Sequence, residues 1–236
     1  MADKRRTEER RQGLADLARR QYGVISARQL RGLGYSYDQI ADGSAAARLH
    51  RLHRGVYAVG HLHLDWRGHC FAATLACAPA FASHTSAGWL WGLLRYAPGR
   101  LDVTAPTRRH PKAAVRLHHA RLDARDCTER EGIPVTSLAR TVLDLAAVLS
   151  PDRLDRVLER SEELRLLDLV AIDEVLGRVG HHRGATKLRG ALAIYRDDPT
   201  VTRSRLERRF LALVRKAGLP RPAMNFPLGG YELSPL

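Results

Sequence analysis

The first residues that could do chemistry lie in the segment RLHRLHRGVYAVG. Arg48, Arg51 and Arg54 recur every three residues, and His50 and His53 lie between them. A guanidinium group donates through a planar fork that matches phosphate oxygens, and imidazoles add positive charge below about pH 6.5. This pattern is typical of a surface that binds phosphate. The alternative is a solvated basic turn that contacts only water.

The composition of the whole chain agrees with a polyanionic partner. The 236 residues carry a formal net charge of +14, and the surplus is almost all arginine. The only lysines are Lys4, Lys112, Lys187 and Lys216. A basic surplus of this size favours a nucleic acid as the partner. An arginine-rich proteome, in which every protein is basic, is the alternative explanation.

Several other classes of protein are excluded by the sequence. No apolar run reaches the roughly 18 to 20 residues that cross a bilayer, and the charged start MADKRRTEERRQ has no apolar signal core. Cys70, Cys77 and Cys127 form no CxxC pair, so the sequence predicts no disulfide framework, no metal site and no cofactor. Cys70, Cys77 and His84 are spaced by seven, which favours one buried helix face over metal ligands. We therefore expect a cytoplasmic protein.

The elements that position the basic segment are short and well marked. A first helix carries Leu14 and Leu17 at helical spacing and ends at Gly23. Ser26 and Ser36 have the position of N-caps for a second and a third helix. The basic segment then forms two short strands that join at an Arg54-Gly55 turn. This order predicts a winged helix-turn-helix over residues 1–60, with the hairpin as the wing.

The remainder predicts a mixed α/β region over 61–200, followed by the start of another domain over 201–236. The predicted fold class is therefore α+β: an N-terminal winged helix-turn-helix, a mixed α/β domain and a helical C-terminal part. Ser150 and Pro151 have the pattern of an N-cap and first residue of a helix. A basic group that follows RLDVTAP is expected at the exposed tip of a hairpin; it consists of Arg108, Arg109, His110 and Lys112.

Contact with DNA is expected mainly from the wing. The third helix offers Tyr37 and Gln39, but its acids Asp38 and Asp42 oppose phosphate. Gln39 is the best candidate for a base contact, because an amide can pair with a base edge. The alternative, an exposed helix glutamine that contacts no base, is favoured over it. The wing arginines and the two wing histidines are expected to reach phosphates or a minor groove. Further phosphate contacts are expected from Arg28 and Arg31 on the second helix and from Arg5, Arg6 and Arg10 near the start.

Histidines elsewhere give weaker signals. Ser83 and His84 are adjacent, but no nucleophile elbow or ordered acid accompanies them. The tandem pairs His118-His119 and His181-His182 are poor chelators, because adjacent side chains diverge. The sequence therefore predicts no catalytic residue in this part of the chain.

Five segments in one order resemble a known family. GVISARQLRGLGYS, RLHRLHRGVYAVGH, SHTSAGWLWGL, GIPVTSLARTVLDLA and TRSRLERRFLALVRKAGLPRP are similar to actinobacterial proteins with an AbiEi-type antitoxin-like N-terminal region. Many of these proteins carry a C-terminal endonuclease domain of the very-short-patch-repair type (the DUF559 group). The resemblance implies a winged helix that binds double-stranded DNA. It also implies a middle region that opposes a nucleotidyltransferase toxin, as in type IV toxin–antitoxin systems.

The nuclease half of the resemblance is incomplete. Glu207 matches the helix glutamate of the family's metal site, but Ser234 stands where the next carboxylate is expected. One carboxylate cannot hold the divalent metal that activates water. Glu207 also fits a capping box with Ser204. We therefore expect Glu207 to be only a remnant of a nuclease site and the chain not to be an enzyme.

Three functions remain open from the sequence. The first is a DNA-binding regulator that resembles the AbiEi antitoxin, and the second is an incomplete or inactive endonuclease. The third is an interaction protein whose basic surface binds an acidic toxin instead of DNA.

Overall fold

The computed structural model describes residues 2–107, 114–196, 210, 213–214, 217–220, 227–228 and 231–232. The predicted basic hairpin tip lies outside these residues, as do Glu207 and its capping partner Ser204. Within them the chain is mixed α/β, with an N-terminal unit of the winged-helix type and a helical C-terminal part, which confirms the predicted fold class.

The N-terminal unit contains three helices and three strands. In chain order they are α1 (Ala2–Arg20), β1 (Val24–Ser26), α2 (Ala27–Gly32), α3 (Tyr37–Ala45), β2 (Leu49–His53) and β3 (Val56–Val59). The strands form an antiparallel sheet in the order β1-β3-β2. Sequence reasoning missed β1, because a run of three residues shows no periodicity.

Both predicted N-caps are confirmed. The Ser26 hydroxyl accepts a hydrogen bond from the backbone N–H of Gln29, and the Ser36 hydroxyl accepts one from Gln39. In each case the glutamine reaches back to the cap residue, so both helices begin with a capping box. The two boxes fix where α2 and α3 start and therefore how they face the sheet.

The middle region contains a five-stranded sheet with helices packed on it. Its elements are α4 (Trp66–Ala76), β4 (Phe81–Ala82), α5 (His84–Leu90), β5 (Leu101–Ala105), β6 (Val115–His119), β7 (Cys127–Arg130), β8 (Ile133–Thr136) and α6 (Leu138–Val148). The strand order is β6-β5-β4-β8-β7. Because Cys77 and His84 lie beyond the end of α4, the seven-residue spacing does not mark one helix face.

The expected hairpin between β5 and β6 is wrong. These two strands pair in parallel, with Leu101 opposite Val115 and Ala105 opposite His119. Parallel neighbours require a crossover connection instead of a tight turn. The sequence shows two strand-like segments, but it carries no signal for their relative direction.

Three further helices follow along the chain: α7 (Pro151–Glu163), α8 (Leu169–Arg178) and α9 (Ala185–Arg196). They pack with α6 around a core that includes Leu143, Leu158 and Leu192, all fully buried. Ser150 is the N-cap of α7 and Pro151 its first residue, as predicted. Two short strands, β9 (Pro227–Leu228) and β10 (Tyr231–Glu232), pair further along the chain.

The N-terminal sheet and α4 share a core. Val24, Val56 and Ala72 form one buried cluster, and the Tyr22 hydroxyl donates to the backbone oxygen of Glu131 at 2.7 Å. A Cβ at Gly68 would lie 2.9 Å from the Tyr22 backbone oxygen, so only glycine permits this approach. The winged-helix unit is therefore packed against the middle region.

Candidate nucleic-acid interface

The basic segment forms a hairpin, which we call the wing: Arg48, β2, the Arg54-Gly55 turn and β3. Gly55 has φ +71°, a left-handed conformation that suits glycine. Leu49 and Val56 are buried, which anchors both strands on the helices. The register shifts between Arg51 and His53, so the hairpin contains an irregularity that increases its local twist.

The wing arginines point to solvent. Arg48, Arg51 and Arg54 are all exposed. Within the described part of the chain, none of these guanidinium groups has an acidic partner. His50 and His53 are half-buried between them. The wing therefore presents positive charge that is not neutralised by a neighbouring carboxylate.

The second helix carries two exposed arginines. Arg28 is solvent-exposed on α2. Arg31 donates to the backbone oxygen of Tyr35 at 3.0 Å, and its Cζ lies 4.8 Å from the centre of the Tyr37 ring. Because Tyr37 is 71% exposed, Arg31 and Tyr37 form an ordered cation–π pair at the surface.

Gln39 is placed differently from the expectation of a free base-reading amide. Its Oε1 accepts hydrogen bonds from the Ser36 backbone N–H at 3.0 Å and from Arg10 Nη2 at 2.8 Å. A base contact through this oxygen would have to replace both bonds. Asp38 and Asp42 are exposed on the same helix, so the surface of α3 carries acids while the wing carries cations.

Sequence reasoning missed a second group of polar residues, buried where α5 and α6 cover the middle sheet. We call His84, Asp102, His118, Arg140 and Asp144 the buried polar cluster. The rings of His84 and His118 stack with centroids 3.5 Å apart and an interplanar angle of 12°. The five residues come from four elements, α5, β5, β6 and α6. Only Arg140 and Asp144, which pair four residues apart on α6, have a local pattern.

Each member of this cluster has a specific partner. His118 Nε2 lies 2.8 Å from Asp102 Oδ1, and Arg140 Nε donates to Asp144 Oδ1 at 2.9 Å. Asp144 Oδ1 also lies 3.2 Å from His182 Nε2. Asp144 is fully buried and Arg140 is 4% exposed. The arginine charge is therefore compensated inside the protein and is not available to a ligand.

The environment shifts the ionisation of these groups. Burial lowers the pKa of His84 to about 4, which keeps its ring neutral at physiological pH. Burial acts to raise the pKa of Asp102, but hydrogen bonds from His118 and Thr85 outweigh it and hold this pKa below its ordinary value. For Asp144, burial is likewise outweighed by its bonds to His182 and Arg140, and the pKa is lowered.

Metal binding and membrane crossing find no support among the described residues. No group of three or more His, Cys, Asp or Glu side chains there is arranged to hold a metal ion. No helix in the same residues is long and apolar enough to cross a membrane. The endonuclease alternative depends on Glu207, which lies outside the described part of the chain.

The segment that includes the wing matches a known protein family. Residues 12–60 match the family model described as "Transcriptional regulator, AbiEi antitoxin". The crystal structure of the RV2827C protein from Mycobacterium tuberculosis is 18% identical, with 76% of this chain and 79% of that chain covered and a TM-score of 0.38. No curated protein matches the chain. The N-terminal unit is thus similar to AbiEi-type antitoxin regulators.

Proposed function

We propose that this protein is a DNA-binding transcriptional regulator of the antitoxin type, and that its wing grips double-stranded DNA. The observation that carries the proposal is the set of exposed wing arginines, Arg48, Arg51 and Arg54, which no described carboxylate neutralises. The family match over residues 12–60 supports the same function.

The positive charges of the wing suit contact with the phosphates of the DNA backbone better than recognition of individual bases. Guanidinium groups on a twisted hairpin can follow phosphates or enter a minor groove. Arg28 and Arg31 add charge from α2, and Tyr37 offers an exposed ring beside Arg31. Such contacts give affinity that depends on salt and little on sequence.

A charge-matched pair of variants tests the assignment. The first replaces Arg48, Arg51 and Arg54 with alanine. The second replaces Arg153, Arg156 and Arg183, which are exposed on the middle region. Both lose the same formal charge, so a difference between them reports position. At about 0.1 M salt, where the Debye length is about 10 Å, we expect the first variant to bind a mixed-sequence duplex at least about tenfold more weakly than the parent.

The control variant should stay within about threefold of the parent, because bulk charge alone acts weakly at a distance in salt. Equal losses in the two variants would mean that the wing is not the contact surface.

The middle region, residues 61–200, is proposed to engage a cognate nucleotidyltransferase toxin. The support is that residues 12–60, which precede this region, match a family described as an antitoxin. Co-expression of the chain with a nucleotidyltransferase encoded beside it tests this function. The wing variant separates the two activities: we expect it to lose DNA binding and to retain neutralisation of the toxin. If neutralisation is lost together with DNA binding, the basic surface itself binds the toxin.

A further inference from the structure

We propose that a cleft between α1, α3 and the base of the wing binds a small organic anion with an apolar body. The cleft has a volume of about 680 Å³. Pockets for small ligands and cofactors span about 300 to 1,000 Å³ and combine apolar walls with a few polar groups. The cleft has this size and this composition.

The floor of the cleft is apolar. It is lined by Leu14, Leu30, Leu49 and Val59, of which Leu30 is fully buried and Leu49 is 7% exposed. These side chains belong to the core of the winged-helix unit. A hydrocarbon or aromatic body on this floor would leave water and gain free energy by burial of apolar surface.

The rim of the cleft is basic. It carries Arg10 and Arg11 from α1 and Arg48 from the residue before β2, against one acid, Asp42. The rim therefore has a surplus of two positive charges. Cations around an apolar floor are complementary to a ligand that has an anionic head and an apolar body.

Arg10 provides the most specific observation. Its Nη2 donates to Gln39 Oε1 at 2.8 Å, and its Cζ lies 4.3 Å from the centre of the Tyr35 ring. Its Nε is buried and has no hydrogen-bond partner among the described residues. A buried donor without an acceptor is costly. Arg10 lines the cleft, so a carboxylate or sulfonate there that draws the guanidinium toward it would supply an acceptor.

Occupancy of the cleft has a consequence for DNA, and this consequence alone depends on the proposed function. Arg48 lines the cleft and belongs to the wing. An anion beside Arg48 would neutralise charge that the wing presents to phosphate. Ligand and DNA would then weaken each other's binding by the same factor. The site itself is independent of DNA binding and can be tested without DNA.

The probe for the site is anilinonaphthalene sulfonate, which has an aromatic body, a single anionic group and fluorescence that rises in an apolar environment. Its neutral counterpart is phenylnaphthylamine, which has the same rings without the sulfonate. We expect one sulfonate molecule to bind per chain. Arg10→Ala and Arg11→Ala should each weaken this binding by about tenfold. Neither substitution should change binding of the neutral compound by more than about twofold.

A blocking variant and a control complete the test. Thr7 lines the mouth of the cleft, and Thr7→Trp should abolish binding of both compounds by filling the entrance. Arg19→Ala removes an exposed α1 arginine that pairs with Asp16 and should bind both as the parent does. Circular dichroism melts identify any variant that is unfolded, and Arg11, which is exposed, then provides the result. Unchanged sulfonate binding by folded Arg11→Ala and Thr7→Trp variants would overturn the proposal.

Discussion

The wing and the buried polar cluster both contain arginines and histidines, but the arginines are exposed on the wing and buried in the cluster. On the wing, the arginines are exposed and have no acidic partner among the described residues, and the two histidines are half-buried between them. In the cluster, Arg140 is 4% exposed and is held by Asp126 and Asp144. Arginine on the wing is free to meet a ligand, while arginine in the cluster is already neutralised.

This difference separates function from stability. A buried charge is tolerated only when it is paired, so removal of one partner leaves an uncompensated charge in a medium that solvates it poorly. An exposed charge is solvated with or without a partner, and its loss costs little stability. Substitutions in the cluster should therefore act on unfolding, and substitutions on the wing should act on binding.

The largest expected effect is the loss of Asp144. Asp144→Asn removes the carboxylate that pairs with Arg140 and His182. We expect the free energy of unfolding to fall by roughly 3 to 5 kcal/mol, because Arg140 is left with only its longer contact to Asp126. Urea denaturation followed by circular dichroism measures the change.

Glu8→Gln provides the comparison, since Glu8 is exposed on α1 and should change stability by less than about 0.5 kcal/mol. A loss in Asp144→Asn as small as that of the control would show that the cluster contributes little to stability.

The next effect depends on pH and comes from His84. Its pKa is lowered to about 4 in the folded chain, against about 6.5 for an unperturbed histidine. The unfolded chain therefore takes up the proton first as the pH falls. This contribution to stability is present above pH 6.5 and is lost between pH 6.5 and about 4. We expect a loss of roughly 3 kcal/mol across this window, measured by denaturation at several pH values.

His84→Asn should flatten this dependence. Asparagine cannot be protonated, and it tolerates the left-handed backbone at this position, where φ is +47°. His119→Asn, at an exposed site on β6, should leave the profile unchanged. The lowered pKa values of Asp102 and Asp144 act below their ordinary range near pH 4, so they do not produce the loss between pH 6.5 and 4.5. A profile of His84→Asn identical to that of the parent would assign the loss to another group.

The smallest of these effects concerns Gln39, which tests the boundary between residues that stabilise the fold and residues that bind DNA. Gln39→Ala breaks the capping box of α3 and the contact with Arg10. We expect a loss of about 1 kcal/mol in unfolding free energy. DNA affinity should fall less than about threefold, because the amide serves the cap. A tenfold loss of DNA affinity with an unchanged free energy of unfolding would show instead that Gln39 contacts a base.

Local signals made the N-terminal unit predictable from sequence. The caps at Ser26 and Ser36 and the turn at Arg54-Gly55 each depend on a few adjacent residues. The same kind of signal was available for Gln39, because Ser36 and Gln39 have the spacing of a capping box. This spacing favours a structural role for the glutamine, a signal that the prediction of a base contact did not use.

The middle region could not be predicted in the same detail. Strand direction in β5 and β6 is set by which strands neighbour them in the sheet, and no residue near Asp102 or His118 encodes it. The buried polar cluster joins residues from 84 to 144, so only the folded chain brings them together. The cleft beside Arg10 likewise joins α1 to the base of the wing, and sequence reasoning treated Arg10 only as an additional phosphate contact.

The salt dependence of DNA affinity tests the central claim most directly. Dissociation constants for a mixed-sequence duplex should be measured over a series of salt concentrations for the parent and for the variant with Arg48, Arg51 and Arg54 replaced by alanine. If these arginines contact phosphates, the magnitude of the log–log slope should fall by roughly 2 to 3 in the variant. Equal slopes for the two proteins would contradict the assignment of the wing as the DNA contact.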